Sequence, residues 1–365
     1  MGRLRFLRRL LRKAHRPHVT ITQLSTDILA LITNHLSLHD QFLLSHTCRA
    51  FRRVASRDWD VEMSRLSSDD ALRFWEGLAY ASPNHWACPK CRKLHRINTS
   101  DVPAVSKLAR ERLVPCKVRL FRNTFEEAYC IQYYHIQLAL KLSRLGNANE
   151  NYLAALMRAY TYTDVSSLRP LTETYTAEPR IINRQFILRE EWTISNGTGA
   201  DLPLFPEDKL VFITPCPHLG LWASGLARSR SRKELNVDRC EFPFHTQLQK
   251  AQVLREMTMV EDGIESAFES PGRWIYNSCL RCHTDFGIIV SIAGRKATIQ
   301  AWHNFGTEGS STDASWKVHV LHRMPHVPTP ESYVHYAHGS IRELWQKGNS
   351  GRGRAGAGHG SRRPE

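Results

Sequence analysis

A chain of 365 residues, 42% hydrophobic and 23% charged, has the make-up of an ordinary folded protein, with length for two or three domains and a real core. Its longest apolar run, residues 286–293, is far too short to cross a bilayer. The formal net charge of +15 sits in the ends: residues 1–18 carry seven Arg/Lys and no acid, and residues 348–365 carry four Arg against one Glu, leaving +5 between them. A body at +5 is not the basic surface that tracks phosphates, so nucleic acid is not the expected partner. Leu10-Leu11 makes no secretory h-region. Reduced thiols in the cytoplasm or nucleus are therefore expected, and the nine cysteines favour metal ligation over disulfides.

Residues 1–18 read as a basic amphipathic tail, with Leu4, Leu7, Leu10, Leu11 and Ala14 on one helical face and arginines on the other. Weak contact with an anionic membrane surface, a nuclear address, a mitochondrial presequence and a solvated tail all fit that pattern. From Leu24 onward, Ile28, Ile32 and Leu36 recur every four residues with Leu29 and Leu31 beside them, which predicts an amphipathic helix. Ser37, with Asp40 three residues on, caps a second helix carrying Phe42, Leu43 and Leu44. Cys48, Phe51 and Val54 give a third short period among Arg49, Arg52 and Arg53. Three helices this short carry more apolar surface than they can bury among themselves, so the surplus must face a partner or the rest of the chain.

The order Leu24-x-x-Asp27-Ile28-Leu29, then Ile32, Leu36, Asp40, Leu43-Leu44 and Cys48-Arg49-x-x-Arg52 resembles an F-box, placed here at residues 19–65. Ser25 stands where that family usually has Pro; it can cap the turn that Pro would preset. The resemblance implies docking on the Skp-type adaptor of a cullin–RING ubiquitin ligase, through Leu24, Ile28, Leu29, Ile32, Leu36, Phe42 and Leu43. A looser likeness, to fungal F-box proteins with cysteine pairs downstream, extends over most of the chain.

Ser67-Ser68-Asp69-Asp70 predicts another helix start, with Leu72, Trp75 and Leu78-Ala79 on one face and an end before Ser82-Pro83. Cys88-x-x-Cys91 suits a turn in which two thiolates reach one tetrahedral ion. Cys116 is the expected third ligand, and His95, Cys130 and His135 compete to be the fourth. Helices are predicted over 131–145, closed by Gly146, and over 149–160, so residues 66–160 read as a helical region around a first zinc-type site. From 161 to 347 the texture is β-branched and aromatic. Strands are predicted at 172–176, 186–194, 210–214 and 316–320, a hairpin joins 288–292 to 298–302 around Gly294-Arg295, and a helix interrupts near 246–257. Within this half, Cys216-Pro217-His218 and Cys279-x-x-Cys282 point at one another as a Cys3His zinc site with no open coordination position, stapling two distant segments. In the fungal proteins that the chain resembles, a Cys-Pro-His and a later Cys-x-x-Cys followed by Thr-Asp-Phe recur; here the latter is Thr284-Asp285-Phe286. Cys240, His245, His303, His319 and His322 read as structural. Residues 348–365 read as a disordered Gly/Arg-rich tail.

The fold class expected is α+β: an N-terminal three-helix F-box and helical linker, then a mainly antiparallel β domain with zinc-stapled loops. No G-x-G-x-x-G, P-loop, G-x-S-x-G or H-E-x-x-H is present, and two saturated structural zinc sites would hold the fold without activating water. The chain is therefore expected not to be an enzyme. Its expected role is that of a substrate receptor, docking on the Skp-type adaptor, and through it cullin, to bring an unknown protein target near loaded ubiquitin. Without a WD, leucine-rich or kelch period the target has no name. Two other readings fit the same residues: a zinc-stabilised nucleic-acid-binding protein, and an F-box scaffold not involved in ubiquitination.

Overall fold

Serine and aspartate set the starts of the N-terminal helices. Ser25 accepts from the Ile28 amide to open α1 (Thr26–His35), and Ser37 from the Asp40 amide to open α2 (Leu38–Ser45). After α3 (Arg49–Val54), Asp58 caps α4 (Trp59–Arg65) and Ser67 caps α5 (Ser68–Ala81). Each such cap contributes about 1 kcal/mol. The computed structural model describes residues 21–104, 129–146, 149–165, 171–196, 213, 215–219, 259–319 and 334–350. They fall into two compact units, Met1–His95 and Arg96–Glu365.

In the first unit α2 packs against α3 and α5, and α1 against α3. Leu29, Phe51, Ala55, Leu72, Phe74 and Leu78 form the interior. Phe42 meets Trp59 and Phe74 edge-on at 5.1 and 5.7 Å. The α2–α5 crossing depends on a glycine: a Cβ on Gly77 would lie 2.2 Å from His39 Cγ. Two short paired strands follow, β1 (His85–Cys88) and β2 (Lys93–Arg96).

The second unit is built on a six-stranded antiparallel sheet. Its strands are β3 (Tyr160–Val165), β4 (Leu171–Ile182), β5 (Gln185–Asn196), β6 (Ile275–Ser278), β7 (Thr284–Val290) and β8 (Lys296–Asn304), in the order β3-β4-β5-β8-β7-β6. The β4–β5 hairpin turns through Asn183 and Arg184, both left-handed, a geometry that matches the strand twist. The β7–β8 hairpin turns through Gly294 (φ +66°), where the sequence places it. Helices α6 (Tyr133–Leu145), closed by left-handed Gly146, and α7 (Glu150–Leu156) belong to this unit, as does α8 (259–269). The fold class is α+β.

Three expectations change. Of the strand expected at 316–320, the described residues 316–319 form none: α9 (Ala314–Lys317) runs through Trp316, because Asp313 takes the Lys317 and Trp316 amides on its carbonyl and the Ser310 amide on its carboxylate. Trp316 is buried against Tyr133 and Phe305. Residues 149–160 divide, the helix ending at Leu156 and Tyr160 opening β3. Gly348 does not end the folded body; α10 (Ser340–Ser350) runs through it, and Gly348 lies so close to Ile182 that a Cβ would come within 2.9 Å of its Cδ1. Ile341 and Trp345 of α10 pack on Ile187 and Trp302 of the sheet, with Arg180 stacked 3.9 Å over the Trp345 ring. The expected strand at 210–214 (Ile213 apart), the helix at 246–257, the N-terminal tail, and the C-terminal tail from 351 lie outside the described residues.

Candidate docking face and metal centres

Helix α1 has two apolar faces. Leu29 (5% exposed) and Thr33 turn inward, one turn apart. Ile28 (45%), Leu31 (58%) and Ile32 (38%) turn outward at i, i+3, i+4 spacing. Leu43 (37%) is exposed on α2, Ile21 just ahead of α1, and Leu24 and Leu36 are half-buried. Burying three or four such side chains on a partner is favourable by about 1 kcal/mol each, since each has about half its area left to lose. Two residues of the expected face do other work. Leu29 is core, and Phe42 is spent on the aromatic contacts with Trp59 and Phe74. Leu31 is the most exposed apolar residue of α1 and was noted in the sequence only as a neighbour of the stripe.

The first cysteine cluster sits at the β1–β2 turn. Cys88 ends β1, fully buried, and accepts the Arg92 amide on its carbonyl at 2.9 Å. Arg92 is left-handed (φ +51°), which folds Cys91 back over the turn. The donor atoms of Cys88, Cys91 and His95 lie within 4.8 Å of one another, with Cys91 Sγ 2.9 Å from His95 Nε2. The His95 ring stacks on Trp86, and burial lowers its pKa, favouring the neutral, metal-binding form. His95 is thus the candidate that the structure brings in. Cys116 lies outside the described residues. Cys130 accepts from Gln132 Nε2, while His135 accepts the Gln132 amide on Nδ1 and faces Asp101 Oδ1 at 3.3 Å with Nε2; both side chains are engaged locally.

The second cluster brings together all four residues expected of it. Cys216 lies in a tight turn closed by its bridge to Leu219. Cys279 and Cys282 flank the β6–β7 loop, where the Cys279 amide donates to the Thr284 carbonyl and the Thr284 amide to the Cys282 carbonyl. The donor atoms of Cys216, His218, Cys279 and Cys282 all fall within 4.8 Å of one another. His218 Nδ1 is 3.9 Å from Cys216 Sγ and 3.7 Å from Cys279 Sγ. A zinc tetrahedron with arms of about 2.3 Å has edges of about 3.8 Å, so the donors already stand near the corners of one. The electrostatics fit as well. Burial, then the neighbouring thiols, push Cys216 and Cys282 well above the ordinary thiol range. Burial also raises Cys279, but hydrogen bonds from Cys216, Cys282 and His218 outweigh it and hold Cys279 well below that range. One thiolate is favoured and the other two are held back by burial and mutual repulsion; a divalent cation is what lets all three ionise together. A metal held by these four donors would have no open position, as in a structural centre.

Around this loop, Tyr336 donates to the carbonyls of Cys279 and Thr284. Asp285 accepts from Ser278 Oγ and from the Gly339, Ile341 and Arg342 amides at the start of α10. No helix among the described residues is long and apolar enough to cross a membrane.

Compared with known protein families, residues 21–60 match the F-box domain; the match ends before the cysteine clusters, so the wider likeness to fungal proteins has no support from it. No curated protein and no solved structure matches the chain significantly. The chain carries an F-box domain at residues 21–60.

Proposed function

We propose that the protein is a substrate receptor of a cullin–RING ubiquitin ligase. The observation that carries this is the outward stripe of Ile28, Leu31 and Ile32, with Leu43, on the helices of a matched F-box domain. F-box domains typically bind a Skp-type adaptor, and this stripe is the surface for it. The Arg96–Glu365 unit then presents an unknown protein target, and ubiquitin transfer is carried out by other subunits, so the chain needs no catalytic residue of its own. Two structural zinc ions are its cofactors, one in each cysteine cluster, and the reduced thiols they require suit the cytoplasm or nucleus.

Co-expression with a Skp-type adaptor and cullin, followed by size-exclusion chromatography, tests this. The expected result is a stoichiometric complex that Leu31→Asp disperses while the variant stays folded. No complex, or one indifferent to Leu31→Asp and Ile28→Asp together, overturns it. A complex with the adaptor that excludes cullin would favour a scaffold outside ubiquitination.

A further inference from the structure

A row of buried polar side chains leads away from the second cluster across four neighbouring strands. Thr284, at the start of β7, is fully buried, with Oγ1 3.2 Å from Cys282 Sγ and 3.1 Å from His303 Nδ1. His303, paired with Thr284 on β8 and equally buried, brings Nε2 to 2.9 Å from Glu190 Oε2 on β5. Glu190, 1% exposed, receives the Tyr175 hydroxyl from β4 on its other oxygen. Buried polar and charged groups are costly unless each is partnered, and a sheet interior of this kind is normally filled with aliphatic side chains. Some other requirement has put this row here.

We propose that Thr284 is a positioning residue for the Cys3His metal centre, and that His303, Glu190 and Tyr175 exist to aim its hydroxyl at Cys282. This rests on reading the four-residue cluster as a metal site. The hydrogen-bond logic is restrictive. A hydroxyl has one hydrogen, and a metal-bound thiolate has none. Thr284 must therefore donate to Cys282 and accept from His303 Nδ1. A carboxylate only accepts, so the Tyr175 hydroxyl donates to Glu190 Oε1, while Oε2 stands 2.9 Å from His303 Nε2 as a close polar contact. The direction of the Cys282–Thr284–His303 hydrogen bonds is set by the thiolate at one end. Outer-shell partners of this type fix a ligand's orientation and add 10–100-fold to metal affinity, as a rough scale.

The test uses the full chain and Co2+ as the probe, titrated against a competing chelator. The part of the signal lost in Cys282→Ser defines this centre. Thr284→Val, which keeps the shape and removes the hydroxyl, should weaken that part about 10–100-fold, and Thr284→Ser should restore it. Tyr175→Phe, at the far end of the row and less able to disturb the loop, should speed metal release several-fold. Melting of the metal-free protein is measured alongside: a purely structural role would lower it without changing affinity, and that result overturns the proposal. So does wild-type affinity in Thr284→Val and Tyr175→Phe while Cys282→Ser abolishes binding, which leaves the metal centre standing. If Cys282→Ser removes no bound metal, the centre itself is wrong and the proposal falls with it.

Discussion

Breaking the second metal clip at one corner has a calculable effect. His218 and Cys279 are 61 residues apart in sequence, and their side chains meet only through the cluster. In the chain-entropy treatment of a cross-link, closing a loop of that length restricts the unfolded chain by about 4 kcal/mol. Cys279→Ser removes a thiolate that is buried and already predisposed to ionise, and serine does not replace it as a zinc ligand at neutral pH. The clip, and the stabilisation it contributes, should be lost. For a unit the size of Arg96–Glu365, 1 kcal/mol moves the melting temperature about 2–4 °C, so the expected fall is about 10 °C. Differential scanning fluorimetry with and without a tight zinc chelator measures it. Chelator should lower the wild-type transition to that of Cys279→Ser and leave the variant's own transition unmoved. A wild-type transition indifferent to chelator, coinciding with that of Cys279→Ser, would refute the metal clip.

Leu29→Ala should cost about 2–4 kcal/mol of stability by leaving a core cavity, whereas Leu31→Asp should leave urea unfolding within about 0.5 kcal/mol of wild type and abolish adaptor binding; the reverse pattern would place the docking face on the other side of α1. Lys141 is buried, and burial lowers its pKa to about 8 against the opposing pull of Glu308, so its charged form costs stability at neutral pH. Lys141→Met should therefore stabilise by about 1 kcal/mol at pH 7, and because the folded pKa lies below the unfolded one, the advantage should shrink between pH 8 and 10.5; no gain in the urea midpoint would count against it. His319 is pushed well below its ordinary 6.5 by burial, then by His303. The folded chain keeps it neutral while the unfolded chain takes up a proton, so stability present above 6.5 falls as the pH drops, by up to about 1.4 kcal/mol per unit; His319→Gln should flatten that slope between pH 7.5 and 5.5, and an unchanged slope refutes the assignment. Asp285→Ala removes the acceptor of the Gly339 amide and of two α10 amides and should cost about 2–3 kcal/mol, seen as faster tryptic cleavage at Arg342 and Lys347; wild-type proteolysis would show that α10 is held by the packing of Ile341 and Trp345.

Helix starts and metal spacing were legible because both are local chemistry. Ser37 and Ser67 cap where the sequence says they should, Gly294 turns its hairpin, and two cysteine pairs mark by their spacing the clusters that could hold a metal. Which face of α1 points inward was not legible. Leu29 and Leu31 are both apolar, and periodicity cannot say which one turns into the core. Trp316 misled for a related reason: alternation over Trp316-Lys317-Val318 reads as strand, while the start signal at Ser310 and Asp313 lies just outside that window. Helix α10 did carry its signal in Ile341, Leu344 and Trp345, but Gly348, which reads as the first residue of a glycine-rich tail, is a packing glycine against Ile182.

Thr284-Asp285 shows where spacing stops being informative. In the sequence the two residues stand only as part of a motif beside Cys282. Successive residues on a strand point to opposite faces, and here each face has its own task. Thr284 joins Cys282 to His303, while Asp285 caps α10. Their partners lie 19 and 54–57 residues away, beyond any window over which a sequence pattern is read. The consequence is structural coupling: one short loop carries two candidate metal ligands at its ends, a row of polar side chains begins on one face of the strand that follows, and the cap of the last helix lies on the other. A substitution at either residue should therefore be felt in two places, Thr284 through the metal and the sheet, Asp285 through α10 and, by way of Ser278 Oγ, the strand that leads into Cys279.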